Sequence, residues 1–153
     1  MTGAADPFEL HRFVAAQRDG FEEALAELRA GRKEGHWIWY VLPQMRGLGA
    51  SSMSARYGIG SLAEARAYLA HPVLGPRLAQ CVEAAARHEG LGAERIFGPL
   101  DAMKFRSCLT LFAAAAGEHS VYSRALERFF GGERDPRTLQ LLADSPTGEN
   151  RRA

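Results

Sequence analysis

The sequence has little cysteine, no large excess of either charge and no set of metal-spaced residues. Its two cysteines, Cys81 and Cys108, form no Cys-x-x-Cys pair and fall within apolar helical patterns, which predicts buried, reduced thiols. The net charge is +1, from 19 basic and 18 acidic residues, so the basic excess of proteins that bind a phosphate backbone is missing. We therefore expect no nucleic-acid partner, no metal and no cofactor.

The sequence also lacks a long hydrophobic run. No stretch approaches the roughly 18 apolar residues that span a bilayer, and residues 1–6 lack the basic and apolar regions of a signal peptide. We expect a cytoplasmic protein without membrane contact. The 153 residues, 46% of them hydrophobic, suit a single domain over 1–153, with a core at 6–142 and a flexible tail at 145–153. It would be a monomer or a homodimer.

Apolar residues recur at helical spacing through most of the chain. This pattern predicts an all-α fold, a compact multihelical domain of about seven helices around a central apolar helix. Starts are marked by Asp-Pro pairs or serine caps, and several ends by glycine. The predicted segments are an antiparallel pair of helices between Asp6 and Gly31, a helix from Ser61 through Leu69, one from His71-Pro72 to Gly90, a short turn at 93–97, the central helix Asp101–Ala116, a helix from Ser120 to Gly131, and a last one from Asp135-Pro136 through Leu142.

The most distinctive segment is residues 36–44, with the sequence HWIWYVLPQ. Its run of apolar residues suits a buried strand or a buried helical turn, and we favour a short helix because no comparable second strand is present to pair with it. Aromatic faces beside His36 and Gln44 could stack on and hydrogen-bond a planar ligand such as a nucleobase. The alternative is that Trp37 and Trp39 are core residues and His36 is a neutral histidine bonded to a backbone carbonyl.

Two further segments carry candidate chemistry. The glycine- and serine-rich residues 47–60 predict a long ordered loop with one helical turn, in which Gly49, Ser51 and Ser52 could approach an anion; an ordinary glycine-rich turn is the alternative, because the P-loop ending is missing. In the central helix, Lys104 and Ser107 share a face, with Asp101 one turn before Lys104. The alternative there is a surface ion pair, with Ser107 bonded back to the helix backbone.

These residues belong to a longer pattern that covers most of the chain. It comprises HWxW at 36–39, PQ at 43–44, GLG at 47–49, YGI at 57–59, AxxYL at 65–69, HPxLGxRL at 71–78, DxxKxxS at 101–107 and TLF at 110–112. The pattern resembles the bacterial domain-of-unknown-function family eighteen-ten, over roughly residues 6–142. The resemblance implies a compact multihelical fold and a bacterial intracellular origin, while the calpastatin label that some members carry matches no repeat in this chain. Cys108 stands where the family often has a second serine, which argues against a catalytic hydroxyl at that position.

Two functional hypotheses follow, and the sequence does not decide whether the protein is an enzyme. The first is a domain that binds a small anionic or nucleotide-derived ligand, and in its enzymatic form a hydrolase, with His36 and Lys104 as catalytic residues. Its ligand-binding residues would be Trp37, Trp39, Gln44, Gly49, Ser51, Ser52, Tyr57, Arg77 and Ser107. The alternative is a noncatalytic helical module that binds another protein, or a second copy, through the aromatic segment. Convergence of the polar candidates on one pocket would favour the first.

Overall fold

The computed structural model of the protein describes residues 5–144, in which nine α-helices and no β-strand are present. The helices are α1 (His11–Ala30), α2 (Ile38–Val41), α3 (Ser52–Tyr57), α4 (Leu62–Ala70), α5 (Leu74–Ala86), α6 (Ala93–Phe97), α7 (Pro99–Ala116), α8 (Val121–Phe130) and α9 (Pro136–Asp144). The all-α prediction is confirmed, and the short helix favoured within residues 36–44 is α2. Residues 93–97, predicted as a turn, form the short helix α6. No helix in this range is long and apolar enough to cross a membrane. The predicted tail at 145–153 lies outside the described residues.

Helix α7 lies at the centre, as its apolar stripe predicts. Phe105, Leu109 and Phe112 are fully buried, and α7 packs against α4, α6, α8 and α9. Burying side chains of this size stabilises the fold by about 1.5–3 kcal/mol each relative to leaving them in water. The helix begins with Pro99 at its first position, where the missing N–H of proline costs nothing.

Helix α1 is a single helix of 20 residues, so the predicted antiparallel pair is wrong. The two apolar sets assigned to separate helices, typified by Phe13 and Phe21, share one continuous buried face. Gly20 lies between them and does not end the helix, although glycine costs about 1 kcal/mol there relative to alanine. A Cβ atom at Gly20 would lie 3.0 Å from the Tyr40 hydroxyl. The glycine therefore makes room for the segment that follows α1.

The predicted caps act at short range. Ser61 Oγ accepts a hydrogen bond from the Glu64 backbone N–H at 3.1 Å, as expected at the start of α4. Asp6 Oδ1 accepts from the Leu10 N–H at 2.8 Å and Oδ2 from the His11 N–H at 3.0 Å. The Asp6 carboxylate thus caps the first turn, but the helix begins at His11 and not directly after Asp6.

A short backbone pairing folds the segment after α2 against the end of α3. The Ile59 N–H donates to the Gln44 carbonyl at 2.9 Å, and the Arg46 N–H donates to the Ile59 carbonyl at 2.8 Å, which forms an isolated parallel bridge. Gly58 allows this approach, because a Cβ atom there would lie 2.7 Å from the Arg46 Cα. The pairing fixes Gln44 and the loop after it at one side of a groove.

The two cysteines are buried and unpaired, as predicted. Burial in apolar surroundings disfavours the thiolate, which raises the pKa of Cys81 to about 12. Burial likewise raises the pKa of Cys108 well above its ordinary value. Neither thiol is suited to act as a nucleophile near neutral pH.

Candidate functional site

A groove with a volume of about 510 Å³ lies between α7, α9 and the segment that joins α2 to α3. This volume is within the range of roughly 300–1,000 Å³ that is typical of small-molecule sites. Six of the residues predicted from the sequence line the groove: Trp39, Gln44, Gly49, Ser51, Lys104 and Ser107. The three candidate segments, which are separate in the sequence, therefore meet at one concave surface.

One wall is formed by the partly buried Trp39 and by the glycine- and serine-rich loop. The loop is held in place locally: Ser51 Oγ accepts from the Ser54 N–H at 3.1 Å, and Ser54 Oγ donates to the Ser51 carbonyl at 2.9 Å. Gly49 packs closely on this cap, because a Cβ atom there would lie 3.0 Å from Ser54 Oγ. Both serine hydroxyls are thus engaged in starting α3.

The opposite wall is one face of α7. Leu100, Met103, Lys104 and Ser107 recur at the spacing of a helix face and all line the groove. Leu100 and Met103 are 73% and 67% exposed, which is high for large apolar side chains. This wall therefore presents apolar surface next to the positive charge of Lys104.

Lys104 is held by a carboxylate that a second lysine also binds. Lys104 Nζ lies 3.1 Å from Asp101 Oδ1, and Lys33 Nζ lies 2.6 Å from Asp101 Oδ2. Partial burial alone would raise the pKa of Asp101, but the hydrogen bonds and charges of the two lysines outweigh it, and the pKa falls below its ordinary value. Sequence reasoning missed Lys33, although Lys33 and Lys104 are the chain's only lysines and could have been considered together.

At the floor of the groove, Ser107 is bonded to Asp135 at the start of α9. Ser107 Oγ donates to Asp135 Oδ2 at 2.8 Å and to the Met103 carbonyl at 3.2 Å, so the predicted bond back to the helix is present beside a tertiary one. Thr138 Oγ1 donates to the same carboxylate oxygen at 2.5 Å. Burial raises the pKa of Asp135, but these hydrogen bonds outweigh it and the net shift is downward. The sequence identified Asp135 as a helix cap and not as a groove residue.

Trp37 and Arg77, both predicted to bind ligand, are engaged in packing away from the groove. Trp37 is 2% exposed, and its Nε1–H donates to Glu27 Oε1 at 2.8 Å. Arg77 donates to Gln17 Oε1 at 3.3 Å, and its guanidinium lies 4.6 Å from the centroid of the Phe21 ring. These contacts join elements of the core and account for both side chains without a ligand.

The other predicted residues lie near the groove or at the surface. Tyr57 is buried and lines a small cavity of about 10 Å³, next to the groove, together with Trp39 and Gln44; this is about the space for one water molecule. Ser52 is the exposed first residue of α3. His36 is exposed on the bend before α2 and is not among the residues that line the groove.

The described residues offer no evident metal-binding set. Within residues 5–144, no three His, Cys, Asp or Glu side chains come together in a way that could hold a metal ion. Of the two carboxylates beside the groove, Asp101 is bound by two lysines and Asp135 by two hydroxyls. The groove instead combines apolar surface, an amide, hydroxyls and positive charge, a set suited to a partly apolar anion.

Comparisons with known proteins agree with this fold. The family described as "Protein of unknown function (DUF1810)" matches residues 7–142, a range that includes every residue lining the groove. Among solved structures, the chain is similar to the crystal structure of the conserved hypothetical protein Rv1873 from Mycobacterium tuberculosis. The two share 49% sequence identity with a TM-score of 0.89, over 92% of this chain and 100% of that chain. No curated protein matches the sequence.

Proposed function

Because the chain belongs to the DUF1810 family, whose function is unknown, we propose a function from the groove itself. The protein binds a small anionic, nucleotide-derived ligand in the groove between α7, α9 and the α2–α3 segment. The observation that carries this proposal is the meeting of three separate segments, represented by Trp39, Gly49 and Lys104, at one concave surface. Packing and capping alone would not require the polar groups of these segments to face the same space.

The apolar part of the ligand would lie against the aromatic wall. Trp39 offers a flat face, and Met103, on the opposite wall, is exposed enough to cover the other side of a ring. Contacts of this kind favour planar groups, because aromatic rings and thioethers have polarisable surfaces. The amide of Gln44 is both a donor and an acceptor and is suited to the edge of a base.

The charged part of the ligand would lie between Lys104 and Arg137. Both line the groove, from α7 and α9 respectively, and Arg137 is oriented by a hydrogen bond of 3.2 Å from Nη2 to the Gly47 carbonyl. Two unit charges about 4 Å apart attract by about 1 kcal/mol in water and about 4 kcal/mol near a protein surface. A phosphate or carboxylate would therefore gain from this position.

Binding is better supported than hydrolysis. Asp135 is the carboxylate nearest to Ser107, but its lowered pKa and its hydrogen bonds make it a weak general base. His36, the other predicted catalytic residue, is exposed on the bend before α2 and does not line the groove. The proposal therefore uses Lys104 for its charge and does not require His36.

The test is a comparison of nucleoside monophosphates with the matching uncharged nucleosides, by thermal shift and isothermal titration calorimetry. A ligand at 100 times its Kd stabilises the folded state by about 2.7 kcal/mol, which raises the Tm of a domain of this size by roughly 5–11 °C. We expect stabilisation by a monophosphate, weaker binding of its nucleoside, and about tenfold weaker binding in Lys104→Gln and Trp39→Leu.

Arg18→Gln is the matched control, since it also removes one positive charge but from an exposed position on α1. It should bind as the wild type does. If no nucleotide in the panel stabilises the wild type, or if Lys104→Gln and Arg18→Gln bind equally well, the proposal is wrong.

A second candidate function, self-association, is favoured by one observation. Leu100 and Met103 present adjacent, largely exposed apolar surface, and such patches often mark protein interfaces. A noncatalytic module would pair with a second copy through this face of α7. Sedimentation analysis of the wild type and of Leu100→Ser/Met103→Ser tests this: a dimer that the double substitution dissociates would support it, and a monomer at high concentration would reject it.

A further inference from the structure

Both lysines of the chain bind one carboxylate beside the groove. Of the 19 Lys and Arg residues, only Lys33 and Lys104 are lysines. Their Nζ atoms lie 2.6 Å and 3.1 Å from the two oxygens of Asp101. Lys33 comes from the segment between α1 and α2, so the cluster joins this segment to the first turn of α7.

The two lysines have different surroundings. The Lys33 side chain is 5% exposed; its Nζ also donates to the Gly35 carbonyl at 2.5 Å and lies 4.9 Å from the centroid of the Trp37 ring. The Lys104 side chain is 31% exposed and lines the groove. Lys33 is therefore the fixed, inner end of the cluster, and Lys104 is the end that a ligand can reach.

The charges of the cluster decide what Lys104 offers to the groove. Asp101 and Lys104 alone would form a neutral pair, in which the carboxylate opposes the attraction of the ammonium for an approaching anion. With Lys33 on the second oxygen, the three groups carry a net charge of +1. Nearby in the groove, the opposite charges of Arg137 and Asp135 offset each other. Whether the net charge of the site is positive therefore depends on Lys33.

We propose that Asp101 and Lys33 are positioning residues for anion binding: Asp101 holds the Lys104 ammonium at the edge of the groove, and Lys33 offsets the charge of Asp101, so that Lys104 attracts the anionic group of the ligand. We take that group to be a phosphate monoester, the anionic group of the nucleotide-derived ligand proposed above. This inference rests on the proposed function, because it specifies how the groove selects an anion.

The first test uses charge-compensating variants with adenosine 5′-monophosphate as the probe and adenosine as its uncharged counterpart. Lys33→Met keeps an unbranched side chain beside Trp37 and makes the cluster neutral. We expect about tenfold weaker binding of the monophosphate, equivalent to about 1.4 kcal/mol, and unchanged binding of adenosine. The double variant Lys33→Met/Asp101→Asn restores a net charge of +1 through Lys104 but removes the carboxylate that holds Lys104 in place. Its binding should therefore recover in part, to about threefold weaker than that of the wild type.

A merely structural role of Lys33 predicts a different result. In that case the double variant would bind as weakly as Lys33→Met, or adenosine binding would also fall, and either result would overturn the inference. Lys33→Gln repeats the test with a side chain that can still donate to the Gly35 carbonyl. Circular dichroism and thermal unfolding of each variant show that the comparison concerns folded protein.

A second test needs no ligand and separates this inference from the proposed function. The chain has two lysine amines, so acylation by an N-hydroxysuccinimide ester can be assigned to each by peptide mass spectrometry. Release from Asp101 in Asp101→Asn should speed the acylation of Lys104 several-fold. An unchanged rate would overturn the positioning role even if nucleotides bind. Faster acylation in a protein that binds no member of the nucleotide panel would support positioning and reject the proposed function.

Discussion

The side chain of Asp135 joins the start of α9 to the middle of α7, and we predict that Asp135→Ala destabilises the fold more than the loss of an ordinary helix cap. Its Oδ2 atom accepts hydrogen bonds from Ser107 Oγ at 2.8 Å, from Thr138 Oγ1 at 2.5 Å and from the Thr138 N–H at 3.2 Å. Thr138 is fully buried, so water cannot replace the lost partner of its hydroxyl.

The expected magnitude follows from these contacts. Loss of the cap of α9 costs about 1 kcal/mol, and a buried Thr138 hydroxyl without a partner costs roughly a further 1–3 kcal/mol. Ser107 adds little, because its hydroxyl still has the Met103 carbonyl at 3.2 Å. The total is about 2–4 kcal/mol of the free energy of unfolding, which lowers the Tm of a domain of this size by roughly 4–16 °C.

Urea denaturation followed by circular dichroism at neutral pH measures this loss. The control is Ser120→Ala, which removes the cap of α8, where Ser120 Oγ accepts from the Ser123 N–H at 3.2 Å; it should cost about 1 kcal/mol. Adding Thr138→Val to Asp135→Ala removes the unpaired hydroxyl and should recover about 1 kcal/mol. If Asp135→Ala costs no more than Ser120→Ala, or if the added valine recovers no stability, the Asp135 side chain does not stabilise the contact between α9 and α7 as predicted.

Three further predictions concern packing, pH and thiol reactivity. Gly58→Ala should lower the free energy of unfolding by about 1–3 kcal/mol, because its Cβ would lie 2.7 Å from the Arg46 Cα; unchanged urea denaturation would contradict the close approach. At Glu27, burial raises the pKa but hydrogen bonds outweigh it, so the pKa lies below the ordinary 4.5. The ionised Glu27 carboxylate therefore stabilises the fold above pH 4.5, and this stabilisation is lost as the pH falls through the lower pKa of the folded protein. The difference in free energy of unfolding between the wild type and Glu27→Gln should shrink on acidification. A difference that does not change with pH would contradict the lowered pKa. Cys81 and Cys108 should resist a thiol reagent at pH 8 until urea unfolds the chain, since burial raises both pKa values; rapid labelling of folded protein would show the burial to be wrong.

Helix positions were predictable where the signal acts within a few residues. The Ser61 cap of α4 and the Gly131 end of α8 depend on hydrogen bonds between residues three to six positions apart, and such bonds can be read from local sequence. The prediction of two helices in place of α1 was wrong because the deciding contact lies outside the local sequence. Gly20 indicates a break by local rules, but Tyr40 packs against it from a separate helix, a contact that local sequence does not reveal.

The candidate site shows the same division. The helical periodicity of α7 alone predicts that Lys104 and Ser107 share one face, and they do line one groove. The other side of the groove depends on the pairing of Gln44 with Ile59 and on the docking of Asp135 against Ser107. Both tryptophans were predicted to bind ligand, because residue type alone cannot distinguish them. In the structure Trp39 lines the groove, whereas Trp37, two positions earlier, is buried.

By itself, the sequence determined the all-α fold, the position of the central helix and the family pattern, because apolar periodicity and helix caps are short-range properties of a chain. Only the tertiary structure decided which of the aromatic and polar residues share a groove, and that both lysines bind Asp101. Lys33 and Asp101 are far apart in the sequence, and their contact depends on how α1 and the segment after it pack on the rest of the core. Packing of that kind sums many weak contacts over distant residues, and no local pattern encodes it.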